Sequence, residues 1–438
     1  MNNRKSFILI ISFFIVSYSL LGFSGESKSP VSHVIYLIGN TGNNKKQNDF
    51  IVLKSLASNL KSEKDSSTVL LLGNLFPKKL FTQGMNLPES KLDSLDIIRI
   101  LKDIDKFTDR VFVNPGQYEW SLSNQSGYHC AVAYEYFIEK FLFKGNTFQP
   151  NNGCPGPEEI EVGDNTVLLF IDTQWWLNQE LGNEEWKNQD CGVESPGDLL
   201  LLLKDAINRN EGKHIIVVGH HPIMSYGKHN GYIPGYIHLT PPIFGSLHVI
   251  YKKLVGYSDD FANPSYKSLI QGLKAIFKGN QDIIYVSAHE SSLQYISEDN
   301  IFQIISGTGS ETRYVKKTNE TFTESTPGYM KLVLYENNEV WLESWKVNED
   351  LSSDKIYETL LYKLDPSKFL KPDYSMKKLV GETVPIQASV SYGLPKKKPG
   401  LMGNNYRAEW IQVVHEGARL QSFPRTTTYA HFAPPGAS

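Results

Sequence analysis

Cysteine is scarce. Cys130, Cys154 and Cys191 are the only three in 438 residues, so at most one bridge can form and one thiol is left over. Cys154 and Cys191 flank one strand-like region and are the pair expected to join in an oxidising compartment; three buried free thiols are the competing reading. Charge of one sign is also wanting. The formal net charge is −3, with nothing that suggests the basic stripe of a nucleic-acid binder, so no nucleic-acid partner is expected. Lys396, Lys397 and Lys398, set between Pro395 and Pro399, read as a solvated linker. No internal repeat is visible. From about residue 411 there is no Lys at all, which suggests a tail of different origin or a disordered one.

A stretch long enough to span a membrane, about 20 apolar residues, is missing too. The N-terminal apolar run goes only from Phe7 to about Leu21. Arg4 and Lys5 precede it, and the small residues Gly22, Ser24 and Gly25 lead out to Glu26-Ser27-Lys28. A positive start, a short apolar body and a small-residue exit describe a secretory signal peptide over residues 1–25, and hence export to the periplasm or the outer membrane. An uncleaved anchor is the alternative. The absence of Cys nearby excludes a lipid anchor on cysteine there, and no further transmembrane span is expected.

What is present is an ordinary core-forming composition, 40% hydrophobic and 21% charged, in a chain of 49.6 kDa. That length suits one large α/β domain with an extension, or two domains. Short apolar runs end in turn-forming residues: 34–38 at Gly39, 68–72 at Gly73, 111–113 at Asn114-Pro115-Gly116, 166–171 at Asp172, 214–218 at Gly219, and 283–286 at Ser287. Such runs predict buried strands. Helical patterns over 50–60, 92–104, 197–208 and 265–277 lie between them, so functional residues should gather at the carboxyl ends of strands. Residues 329–335 and 339–345, joined by Glu336-Asn337-Asn338, read as a hairpin closing the domain. Beyond about 370, Pro, Gly and Lys dominate and only 384–390 looks strand-like. The expected layout is a main domain over 33–350, a linker or docking extension over 351–412, and a tail over 413–438.

The strand ends read Gly39-Asn40-Thr41-Gly42, Gly73-Asn74-Leu75-Phe76-Pro77, Gly116-Gln117-Tyr118-Glu119, Gly219-His220-His221-Pro222 and Ala288-His289-Glu290-Ser291. Their order and spacing resemble the calcineurin-like (purple-acid-type) metallophosphoesterase family, whose pattern is GDxG, GDNxYP, GNHD or GNHE, HHP and GHxH. The resemblance covers about residues 33–346, and Asp172-Thr173-Gln174-Trp175-Trp176 and Ser306-Gly307-Thr308-Gly309-Ser310 look like segments of one secreted subgroup. It implies an α/β sandwich of two central mixed β-sheets flanked by helices.

The roles that the resemblance implies fall on altered residues. Asn40 stands where the first metal's Asp would be, Asn74 where the bridging Asp would be, and Gln117 where a second-metal Asn would be. Tyr118 takes the place of the catalytic His, and Ser291 that of the last His of GHxH. His220 and His289, which would serve the second metal, remain. Two dications about 3.5 Å apart repel by roughly 19 kcal/mol at an effective dielectric of about 20. Neutral amides cannot offset that, so a dinuclear centre is not expected. A phenol, titrating near 10, is a poor stand-in for the acid. No cofactor is expected; a single zinc, iron or manganese ion on His220 and His289, with the Asn74 and Gln117 amides, is the alternative. Glu290 and Asp172 are the carboxylates considered as additional ligands. His221 is expected to point away from the metal side, beside Pro222. His229 resembles a loop histidine near the site and reads equally as a surface residue. Residues 225–280 read as a lid, an interface or a segment packed on its own domain. Asn319-Glu320-Thr321 fits a glycosylation pattern of the kind most often accidental.

Residues 384–392 and 403–410 also resemble the junction leading into an outer-membrane-assembly (surface-antigen) barrel. The resemblance implies a free-standing form of a module otherwise attached to that barrel. The expected function is an exported pseudoenzyme that binds an envelope partner, with outer-membrane assembly machinery as the expected partner. A metal-dependent phosphohydrolase with a reduced mononuclear site is the alternative. A phosphate or nucleotide receptor is a third reading.

Overall fold

Strands that are apolar on both faces must be covered on both faces, and that requirement organises the molecule. A computed structural model describes residues 29–42, 50–77, 92–120, 127–142, 144–178, 191–230, 232 and 260–369, with the backbone of 414–415 and 418–419. The chain divides into Met1–Leu370 and Lys371–Ser438.

The first unit is an α/β sandwich of two mixed sheets. In the six-stranded sheet, β1 (Val31–Ile38), β2 (Ser67–Leu71) and β3 (Arg110–Val113) are parallel. The other sheet has seven strands: β4 (Glu158–Val162), β5 (Thr166–Phe170), β6 (His214–Val218), β7 (Ile283–Ser287), β8 (Leu293–Glu298), β9 (Ile301–Ser306) and β10 (Phe322–Glu324). Within it β5, β6, β7 and β9 run parallel. Antiparallel β11 (Gly328–Tyr335), β12 (Glu339–Val347) and β13 (Ser353–Lys363) complete the first sheet, in the order β13-β12-β11-β1-β2-β3.

Alternation along each strand divides the core. Ile35, Leu37, Leu70 and Phe112 of one sheet pack with Leu168, Phe170, Ile216, Val218 and Ile284 of the other. The opposite faces meet helices. Val34, Tyr36, Ile38 and Val69 pack against α1 (Ile51–Leu60), α2 (Leu92–Asp105) and α3 (Gly127–Leu142). The short α4 (Thr173–Leu177) follows β5, while Val167, Ile215 and Val217 face α5 (Pro196–Arg209) and α6 (Pro264–Phe277). Each such aliphatic side chain contributes about 1.5–3 kcal/mol on burial. Ser195 and Asn263 start α5 and α6 by accepting the Asp198 and Ser265 amide N–H at 3.3 and 2.9 Å, each followed by Pro.

One sequence expectation needs correction. The 329–345 hairpin does not close the sheet: β13 adds an outer strand, so the sheet runs past residue 350, into the stretch read as linker. β13 escapes notice because its edge position leaves Asp354, Lys355 and Ile356 exposed, breaking the apolar run. α3 buries Cys130, Ala131, Ala133, Tyr134, Phe137 and Ile138, and its apolar residues do not form the narrow stripe that marks a helix in sequence. Cys154 and Cys191 are joined, leaving Cys130 as a buried thiol.

No helix among the described residues is long and apolar enough to cross a membrane. In the second unit the described elements are β14 (Val414–His415) and β15 (Ala418–Arg419), an antiparallel pair. The N-terminal segment 1–25, the strand-like 384–390 and the junction segments 384–392 and 403–410 lie outside the described residues, as does the whole of 233–259.

Candidate functional site

The carboxyl ends of β1, β2, β3, β6, β7 and β9 converge, bringing together the loops that the motifs mark. Close approach demands glycine at two of them. A Cβ on Gly73, whose φ is +86°, would lie 2.6 Å from His220 Nδ1, and one on Gly116 would lie 2.8 Å from Asn74 Oδ1.

Asn40 and Asn74 both adopt left-handed backbone, φ 58° and 54°, a conformation Asn tolerates. Both are buried, and their side chains meet. The Asn74 Nδ2 donates to Asn40 Oδ1 at 3.0 Å, Asn40 Nδ2 donates to the Gly307 carbonyl at 3.1 Å, and Asn74 Oδ1 accepts the Tyr118 backbone N–H at 3.0 Å. The positions that would hold charged ligands thus satisfy one another. Gln117 is half-buried and Tyr118 buried on the loop after β3. Ser291 is buried, and its carbonyl accepts the Arg313 N–H at 2.7 Å.

The histidines gather in one cluster. His220, His221 and His289 each offer a ring nitrogen, all within 4.8 Å of one another. His221 does not point away from the site: its ring centroid lies 4.9 Å from that of His220 and 4.5 Å from that of His289. The reason is that its segment is turned and pinned by Tyr285 Oη, donating to the His221 carbonyl at 2.7 Å, and Tyr266 Oη, donating to the Pro222 carbonyl at 2.9 Å. His229 belongs to the same cluster, with its ring 4.2 Å from His289 and its Nδ1 3.2 Å from Asp260.

Hydrogen bonds fix how two of these rings present themselves. His220 Nδ1 lies 2.7 Å from the Leu72 carbonyl, which can only accept, so Nδ1 carries the proton and Nε2 keeps a lone pair. The Thr173 hydroxyl accepts the backbone N–H of His220 and of His221, at 3.3 and 3.1 Å. Its own proton then goes to His221 Nδ1, 2.8 Å away, which places the His221 ring proton on Nε2. Burial pushes the His220 pKa down to about 4, with His229 adding repulsion, and pushes His221 well below the ordinary value. Both rings are neutral at pH 7.

The nearby carboxylates are committed elsewhere. Glu119 accepts the backbone N–H of Asn74, Leu75 and Gly116 at 2.9, 2.9 and 2.8 Å, while burial raises its pKa against the pull of those donors. Asp172 caps α4 and accepts Trp120 Nε1 at 2.7 Å; burial raises its pKa to about 7. Glu290 accepts from Ser225 Oγ at 3.0 Å and the His229 N–H at 2.8 Å. The sequence marked Glu119 and Thr173 only as members of motifs; most of their partners come from other loops.

This donor set does not fit a dinuclear centre, because the Asn40 and Asn74 amides are neutral and hydrogen-bonded to each other. For one ion, the lone pair on His220 Nε2 and the His289 ring are suitable, whereas His221 would have to give up its Nε2 proton. Nitrogen–zinc bonds of about 2.0–2.1 Å would also require the cluster to contract where it approaches its 4.8 Å limit.

No protein-family model and no curated protein matches the chain. Among solved structures it is similar to GAP50, the anchor in the inner membrane complex of Plasmodium, at 17% identity and a TM-score of 0.47, over 80% of this chain and 95% of that one. It is similar to purple acid phosphatase PPD1 from yellow lupin seeds at 12% identity and 0.41, over 73% and 52% of the two chains. For PhoD the figures are 10% and 0.48, over 77% and 71%. Each is a likeness of fold, at an identity too low to carry over the role of any residue.

Proposed function

We propose that this is a non-hydrolytic phosphoesterase-fold protein that works by binding a partner. The observation that carries the reading is the side-chain hydrogen bond between Asn40 and Asn74, at the two positions where the family pattern requires metal-binding carboxylates. Tyr118 at the position of the leaving-group acid supports it, as does the commitment of Glu119, Asp172 and Glu290 to structural contacts. An exported protein at the cell envelope, with outer-membrane assembly machinery as its partner, is the finer form of the proposal; its support is the sequence resemblance of residues 1–25, 384–392 and 403–410.

The test is turnover of p-nitrophenyl phosphate and its diester, with added Mn²⁺, Zn²⁺ or Fe²⁺, by the wild type and His220→Ala. Equal, background rates are expected. Wild-type turnover that His220→Ala abolishes would sink the proposal. It would favour a second reading, a mononuclear phosphohydrolase, for which the specific observation is the cluster of His220, His221 and His289.

A further inference from the structure

We infer that Asn40 and Asn74 form a hydrogen-bonded joint that does the mechanical work a bound cation would otherwise do, fastening the loops of the two sheets to each other. The bonds run in one direction through four loops. The Tyr118 N–H, after β3, donates to Asn74 Oδ1; the Asn74 side-chain amide, after β2, donates to Asn40 Oδ1; the Asn40 side-chain amide, after β1, donates to the Gly307 carbonyl after β9. Three loops of the six-stranded sheet are thereby tied to one of the seven-stranded sheet. Bonds aligned head to tail in a buried chain polarise one another.

A carboxylate cannot serve at these positions. Each link needs a group that accepts with one atom and donates with the other. Asp in place of Asn74 would set a carboxylate oxygen against Asn40 Oδ1, and Asp in place of Asn40 would set one against the Gly307 carbonyl, both across about 3 Å of buried space. The surroundings are shaped to the chain. A Cβ on Gly307 would stand 2.9 Å from Asn40 Nδ2, and backbone bonds from Asn40 N to the Gly73 carbonyl (3.0 Å) and from Gly42 N to the Asn74 carbonyl (2.8 Å) hold the two Asn loops in register. The carboxylate-to-amide changes are therefore more than losses of ligands: together they build a connection that neither supplies alone.

The inference concerns what fastens the pocket, not whether the protein turns over a phosphoester, so the two proposals fail separately. Turnover by a wild type that melts at the same temperature in EDTA and in Mn²⁺ would sink the previous one and leave this one standing.

The experiment is thermal melting of the full chain in EDTA and in Mn²⁺, for the wild type, Asn40→Ala, Asn74→Ala, both together, and Asn40→Asp with Asn74→Asp. The wild type should melt at the same temperature in EDTA and Mn²⁺. Each Ala variant should melt about 2–4 °C lower, and the Ala pair should lose less than the sum because one bond is shared. The Asp pair should lose more in EDTA and regain stability in Mn²⁺. A wild type that melts lower in EDTA, strictly additive Ala losses, or an Asp pair indifferent to Mn²⁺ would each overturn the inference. If the Asp pair does not fold, the wild-type comparison and the Ala cycle still decide.

Discussion

The Thr173 hydroxyl shows how much one small side chain fixes at this site. By accepting two backbone N–H groups it has a single proton left, and that proton sets the tautomer of His221. Long-range ¹H–¹⁵N correlation should therefore find His220 protonated at Nδ1 and His221 at Nε2; His221 protonated at Nδ1 would contradict the assignment. Glu119 plays a comparable part for the loops after β2 and β3. Glu119→Gln puts an amide NH₂ among three backbone donors, so it should cost about 1–3 kcal/mol in urea unfolding, as expected for a buried donor left without its acceptor. An unchanged midpoint would count against that role. At this scale the sequence was only half legible. The departure of Asn40 and Asn74 from the family pattern, and the agreement of His220 and His289 with it, could be read directly. The Asn40–Asn74 contact could not, because it joins loops 34 positions apart. Nor could the placing of His221, which depends on Tyr266 and Tyr285 from later elements.

At the scale of elements, several strands were legible from their burial on both faces. β1, β2, β5, β6 and β7 are covered on both faces along most or all of their length and were visible as unbroken apolar runs. β13 is an edge strand with alternating charge, and its register against β12 is set by the sheet rather than by its own residues. Leu37, near the carboxyl end of β1, packs between the sheets, so Leu37→Ala should cost about 2–5 kcal/mol in urea unfolding. Leu201, on α5, is 67% exposed, and Leu201→Ala should fall within about 0.5 kcal/mol of the wild type. Similar costs at the two positions would contradict the layering described above.

Across the whole molecule, buried titratable groups oppose one another in their effect on stability. His214, buried with its Nδ1 3.2 Å from Tyr362 Oη, has its pKa lowered from 6.5 to about 4 by burial. The unfolded chain then binds the proton first, so the stability His214 contributes is present above pH 6.5 and is lost as pH falls towards 4. Glu135, raised from 4.5 to about 7 chiefly by burial, acts in the other sense: its contribution is complete below pH 4.5 and is lost as pH rises through 7. Melting temperature should therefore drop less between pH 7 and pH 5 in His214→Gln than in the wild type. Equal drops would remove His214 from the account.

The central claim, that a neutral amide joint stands where the family pattern places a metal centre, is tested most directly by elemental analysis of the purified, tag-free protein beside a His220→Ala, His289→Ala double variant. The account predicts no stoichiometric metal in either. About one zinc, iron or manganese per chain in the wild type, absent from the double variant, would contradict it.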